Sequence, residues 1–254
     1  RSSDLTENIR KKLPQKYDLR DYGRVSKVKN QGSDGYCWAF ASVASMESSI
    51  LSQNDLKSKL GENPQDTIDL SEAGQTWYIH SGIVDKSSPF YGDYIDDSSK
   101  GSNGGTSDTL AISLNSGFGT YPQSLCPYNE VKKGFSETLR YYSDYRLKDY
   151  SEISNNKDTL KSKIVSNGAV TVYYPSITDC YSSDYANYYS DNTCIGIGDS
   201  HLIVVVGWDD NYSKDNFTGK VKPSNDGAWL CKNSWGEHYG NDGYIWISYD
   251  TTNL

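Results

Sequence analysis

From Trp38 to Leu51 the apolar residues Phe40, Val43, Ala44, Ile50 and Leu51 recur at helical spacing among small alanines and serines. That pattern predicts a buried central helix with Cys37 at its N-terminus. A second helix is predicted over 108–115 and a third over 158–167, where Asn167-Gly168 supplies a stop signal. Beyond Gly168 the pattern changes. Residues 169–173, 202–208, 228–233 and 243–249 are runs rich in Val, Ile, Trp and Tyr, bounded by Gly, Asp and Asn. They read as antiparallel strands. Helices followed by strands predict an α+β chain of two halves, and a site built from both halves belongs in the cleft between them. No internal repeat or low-complexity tract points to a solenoid or a tethered linker.

Composition narrows the partners. With 33 acidic against 25 basic residues among 254, a net charge of −8, the chain has no basic run that would grip nucleic acid or anionic lipid. No stretch approaches the roughly 18 apolar residues of a membrane-crossing helix. Peptides or proteins are the expected partners, and a monomer is expected. The acidic stretches at 91–100 and 209–216 raise calcium, but neither has the spacing and glycine of a known calcium loop. They read as solvated loops, and no metal or cofactor is expected. Tyrosine and glycine number 22 each against one methionine, a composition common in exported proteins. Five cysteines are an odd number, so at least one is unpaired within the chain.

Cys37 follows the glycine-containing turn "NQGSDGY", scaffolding that a merely structural cysteine does not need. An ordinary thiol is only a few per cent ionised at pH 7. A helix start contributes about 0.3 to 1 kcal/mol to an anion, against 1.36 kcal/mol per pKa unit, so an imidazolium has to supply the rest. His80, His201 and His238 are the candidates. His201 opens the apolar strand "HLIVVVGW", where a rim position on a rigid strand can face a cleft. The other two lie in polar helical or turn-like surroundings. A base needs an orienting group, and "WLCKNSWG" offers Asn233 at a strand end, with Trp235 two residues on to shield the bond from water.

These residues resemble the papain-like cysteine peptidases, the family that includes the cathepsins. The resemblance runs from about Leu13 through "LPQKYDLRDYGRVSKVKNQG", "QGSDGYCWAF", "LSE" at 70–72, "GSNGG" at 101–105, "SHLIVVVGW" and "KNSWG" to "GNDGYIWI". It implies an α+β, papain-like fold with a helical half over about 24–120, an antiparallel β-barrel half over about 121–250, and the cleft between them. Within a peptidase domain at 13–254, Cys37 is implied as nucleophile, His201 as base and acid, Asn233 as orienting residue and Gln31 as an oxyanion-hole donor. Asn103, Gly104, Gly105 and Tyr173 are implied as substrate contacts, with Trp235 as the shielding indole. Tyr173 in the main specificity pocket would favour smaller or polar-tipped side chains at the second residue before the cut. The implied activity is hydrolysis of peptide bonds, as an endopeptidase, by a secreted or cell-surface enzyme. A propeptide or protein inhibitor is a further expected partner, and residues 1–12 read as a propeptide remnant or leader. Two rivals remain: a thiol acyltransferase of transglutaminase type, against which Asn233 in place of an aspartate argues, and a retired peptidase that only holds peptides.

The departures from the family pattern carry information. Asp34 stands where the family has a second cysteine, and Ser102 stands where that cysteine's partner belongs, so one staple is absent as a unit. Tyr36 replaces the usual small residue before the nucleophile, which bears on the size of neighbouring substrate pockets. The insertion at 210–226 is similar to those of bacterial and archaeal relatives. Of the five cysteines, Cys37 must be free to act, Cys231 falls within a strand and Cys126 precedes Pro127. Cys180 and Cys194 bracket a tyrosine-rich loop in the half where the family places a bridge beside its histidine, and one disulfide between them is expected.

Overall fold

A computed structural model of the chain describes residues 13–89, 91–92, 101–115, 118–194, 198–252 and 254. The segment 1–12, read above as a propeptide remnant, and most of the acidic stretch at 91–100 lie outside the described residues. Strand β1 (Lys16–Asp18) comes first, then helix α1 (Cys37–Leu51), α2 (Glu72–His80), α3 (Ser107–Asn115) and α4 (Lys157–Asn167). Strands β2 (Val170–Pro175), β3 (Tyr181–Ser182), β4 (Asn187–Tyr188), β5 (Ser200–Asp209), β6 (Ala228–Lys232) and β7 (Tyr244–Ser248) follow. Two one-turn helices, Asn54–Lys57 and Pro64–Thr67, lie between α1 and α2.

The central helix α1 forms as its pattern predicts, because it contains neither Gly nor Pro and its alanines allow close approach to β5. Its serines have a use that periodicity does not show. Ser48 Oγ donates to Arg24 O and accepts from Ala169 N, and Ser45 Oγ donates to Ala169 O. The helix thereby satisfies the backbone polar groups of the chain crossing it into β2.

Strand β5 is the hub of the β half. Val204, Val205, Gly207, Trp208 and Asp209 pair with β6 on one edge. The other edge is shared end to end by β2, which pairs from Ser200 to Val205, and β1, which pairs from Gly207 to Asp209. Gly207 is required where β1 meets β5, since a Cβ there would stand 2.3 Å from Tyr17 O. The path runs β1-β5-β6-β7-β4-β3 with β2 on β5, an open seven-stranded sheet. One pair departs from the antiparallel expectation: β4 lies parallel to β7, because β5 and β6 intervene before β7 returns beside it.

The two halves share one core, in which Trp38, Ala41, Leu110 and Leu114 of the helices meet Leu202 to Val206 and Trp229 of the sheet. The segment just after α3 packs on the helical side, where Tyr121 and Cys126 are buried against Tyr78. Cys180 and Cys194 are joined as a disulfide, with Cα atoms 6.8 Å apart, while Cys37, Cys126 and Cys231 are free. The insertion at 210–226 covers β4 and β7. Its Tyr212 stacks on Trp246, and Asn187 Nδ2 donates to Tyr212 Oη and Asn216 O.

Candidate active site

The register of β5 places the histidine. Pairing with β6 begins at Val204 against Lys232, so β5 runs on past the end of its neighbour. His201 therefore stands at the overhanging end and Asn233 just beyond the last residue of β6. The ring Nε2 and Asn233 Oδ1 are 2.8 Å apart. The proton's position on the ring follows from a neighbour. Asn233 Oδ1 also accepts the backbone N–H of Ser234 at 2.8 Å, so it is an oxygen that faces the imidazole, and Nε2 is the donor. Nδ1 is left with a lone pair.

Trp235 stacks on His201 at 4.4 Å between centroids and 23° between planes, and Tyr174 meets the ring edge-on at 5.7 Å. The imidazole is 5% exposed. Burial pushes its pKa down to about 4, against a smaller upward pull from the bond to Asn233.

Cys37 sits at the start of α1, after Tyr36, whose side chain makes no capping bond, and the first turn holds no acidic residue. Ala39 N and Phe40 N bond to Tyr36 O, while the N–H groups of Cys37 and Trp38 lie ahead of these bonds and are available to negative charge. Burial pushes the thiol up, and the backbone N–H groups of Leu202, Trp38 and Cys37 itself act in the opposite direction. Leu202 follows His201 directly, so the thiol lies against the histidine's own strand. Neither a lone thiolate nor a lone imidazolium is favoured at this depth; formed together, each offsets the other's cost.

Gln31 is held from both sides of its amide. Oε1 accepts from Ser234 Oγ at 2.6 Å and Nε2 donates to Asp34 O at 2.9 Å, which leaves one Nε2 hydrogen. Backbone bonds from Gln31 N to Ser234 O at 2.8 Å and from Gly236 N to Lys29 O at 3.1 Å join the glutamine box to the asparagine box. Ser234 thus links Gln31 to Asn233. Its place in "KNSWG" was visible in the sequence, but its two contacts were not.

The loop of Asn103, Gly104 and Gly105 is exposed beside the helix start. A Cβ on Gly105 would come within 2.7 Å of the Trp38 indole, and Trp38 Nε1 donates to Gly101 O at 3.0 Å. Where the family staple is missing, Gly35 N donates to Ser102 O at 2.5 Å and Asp34 pairs with Lys132 at 2.9 Å. Non-covalent contacts hold the loop in its stead. Tyr36 is 2% exposed and packs with Phe40, Ala73 and Val131 in the helical core; its ring lies edge-on to Tyr128. Its bulk is thus accommodated within that core. Tyr173, 39% exposed on β2, feels the charges of Asp108 and Cys37 after the larger effect of burial, all raising its phenol. His80 and His238 are not gathered here: His80 is buried edge-on to Trp38, and His238 is exposed after β6.

Known proteins are similar to this chain in sequence and fold. Procathepsin L of Rattus norvegicus is 28% identical over 254 residues, which cover 97% of this chain and 64% of that protein. Cathepsin S of Bos taurus is 30% identical, covering 95% and 62%. The chain therefore spans less than two thirds of the length of these relatives. Among solved structures, the clostridial cysteine protease Cwp84 after propeptide cleavage superposes with a TM-score of 0.74 at 31% identity, over 94% of this chain and 54% of that one. Bromelain of Ananas comosus, at 24% identity and a TM-score of 0.64, shares the fold over 95% of this chain and 92% of its own. The family model described as papain family cysteine protease matches residues 13–254, and the chain belongs to that family.

Proposed function

We propose that this chain is a cysteine peptidase that hydrolyses peptide bonds through a covalent acyl-enzyme. The observation that carries the reading is the 2.8 Å contact between His201 Nε2 and Asn233 Oδ1, with the oxygen identified by the Ser234 N–H. That contact leaves Nδ1 to exchange a proton with the Cys37 thiol. The resulting thiolate attacks the substrate carbonyl carbon, and the carbonyl oxygen takes the electron pair. Cys37 N–H and the remaining Gln31 Nε2 hydrogen donate to that oxygen. As the C–N bond breaks, His201 Nδ1–H protonates the leaving amine. Water then attacks the thioester carbon, His201 takes its proton, and collapse releases the acid and restores the thiol.

Asn103, Gly104 and Gly105 offer exposed backbone to an extended peptide, and Tyr173 borders the pocket for the second residue before the cut. Residues 13–254 are read as one peptidase domain, helical over about 24–120 and β-rich over about 121–250. Secretion or display at a cell surface fits the disulfide between Cys180 and Cys194; a related protease, Cwp84, is described as a surface layer associated protein of Clostridium difficile. Synthesis as a zymogen with a propeptide fits the names of the procathepsin relatives. Among the described residues, no helix is long and apolar enough to cross a membrane.

The test is an internally quenched peptide with a thiol-specific epoxide. Turnover that stops as the epoxide labels Cys37, mapped by peptide mass spectrometry, is the expected result. Peptide binding without turnover would favour the retired-peptidase reading, and amine incorporation in place of hydrolysis would favour acyl transfer.

A further inference from the structure

Behind Asn233, where α1 meets β5 and β6, charged groups are buried between the two halves. Lys29 Nζ contacts Glu47 Oε1 at 3.0 Å and Glu72 Oε1 at 2.9 Å, donates to Leu70 O at 2.7 Å, and reaches the half-exposed Asp69 at 2.9 Å. Lys232 Nζ donates to Ser26 Oγ at 3.0 Å, and Ser26 Oγ donates in turn to Glu47 Oε2 at 2.5 Å. Two polar atoms in this region are buried with no protein partner, Glu72 Oε2 and Asn233 Nδ2. Their residues are 1% and 3% exposed. Both residues line one small cavity of about 10 Å³, together with Lys29, Glu47 and Lys232 and with apolar residues such as Phe40 and Leu202.

The walls are mostly apolar, but a space of that size suits one water where it meets two to four polar partners, and the residues of the charged cluster are the ones that can supply them. The two orphan atoms are complementary when Glu72 is ionised, one a donor and one an acceptor; burial pushes the Glu72 carboxyl up, and the Lys29 ammonium beside it pulls it back towards the charged form. Leaving both unsatisfied would cost each its full desolvation penalty with no hydrogen bond in return. We propose that this cavity holds one tightly bound water that accepts from Asn233 Nδ2–H and donates to Glu72 Oε2, so that Glu72 is a positioning residue for the His201–Asn233 pair. With Oδ1 committed to His201 and Ser234, the water secures the other side of the same amide and fixes its plane. Lys232 Nζ, with hydrogens left beyond its bond to Ser26, is the third group within the walls. Glu72 lies in the "LSE" box, and the bridge would carry its effect to the chemistry through Asn233.

The role of Glu72 rests on the peptidase reading, and the tests separate the two. A crystal structure at about 1.5 Å resolution should show one water bonded to both atoms. An empty cavity, or a water that avoids either atom, overturns the proposal whether or not the enzyme turns over. Wild-type protein with the water in place and no peptide turnover would instead remove the peptidase reading alone. Glu72→Gln should lower kcat about 10-fold with KM within about 2-fold, as expected when a reacting group is slightly misplaced. It should also move the alkylation of Cys37 by iodoacetamide to higher pH, because a loosened ring stabilises the thiolate less. A folded Glu72→Gln protein with wild-type kcat and an unshifted alkylation profile overturns the positioning role. Where that variant fails to fold, the density in the wild-type protein still decides whether the bridge exists.

Discussion

His201 is neutral or charged according to what lies beside it, and Cys37→Ala isolates the imidazole. Burial, only partly opposed by the bond to Asn233, holds the ring down at about 4, against roughly 6.5 in an unfolded chain. The unfolded state then binds more protons between those values, so stability present above about pH 6.5 is lost as pH falls towards 4. The loss amounts to on the order of 3 kcal/mol. Histidine NMR resonances of Cys37→Ala should place the His201 midpoint near 4, and its melting temperature should fall across the same window. A midpoint near 6.5 would show that the ring is not desolvated. The place of Cys37 at a helix start and the meeting of His201 with Asn233 were legible in the sequence because each residue sits in a short box whose local structure is set by its neighbours. Ser234 as the link to Gln31, Tyr174 against the ring and the Lys29 cluster were not. Each depends on segments far apart in the chain, and no local pattern records which of them meet.

Among the elements, α1, α3, α4 and the four long strands followed from periodicity to within two residues. The others escaped for identifiable reasons. Helix α2 is capped by Ser71 Oγ, which accepts from Gly74 N, but it is buried on nearly all sides and so lacks an apolar stripe. Strand β1 is three residues long, and β3 and β4 are two each, too short for any alternation; they exist because a sheet edge is waiting for them. That dependence is testable at Gly207. A methyl group there meets Tyr17 O, so Gly207→Ala should push β1 off the edge of β5 at a cost of about 1 to 3 kcal/mol. Denaturant unfolding should show it, with amide exchange accelerated at Tyr17 and Asp18 first. Unchanged exchange in β1 would mean that the strand yields without separating.

Seen whole, the molecule is braced differently in its two halves. The loop beside the helix start relies on Gly35 N–H to Ser102 O and on Asp34 with Lys132, whereas the β half has the bridge between Cys180 and Cys194, 14 residues apart. Replacing both of those cysteines with serine should remove roughly 3 kcal/mol in the chain-entropy model. Chemical denaturation of the double variant measures it, and a midpoint equal to the wild type would show that the insertion packed over β3 and β4 holds the loop unaided. The arrangement of β5 has a consequence in the order of synthesis. Its partners lie at 16–18, 170–175 and 228–232, so its edges cannot all be filled until residue 232 has been made. Asn233 N donates to Gly243 O, so even the amide that sets the imidazole waits for the strand after it. A nascent chain that has emerged only as far as β5 carries the thiol and the ring, with Tyr174 against the ring, but lacks Asn233, Ser234 and Trp235. On the peptidase reading, the proton-transfer geometry is assembled only once β6 and the residues up to Gly243 have followed.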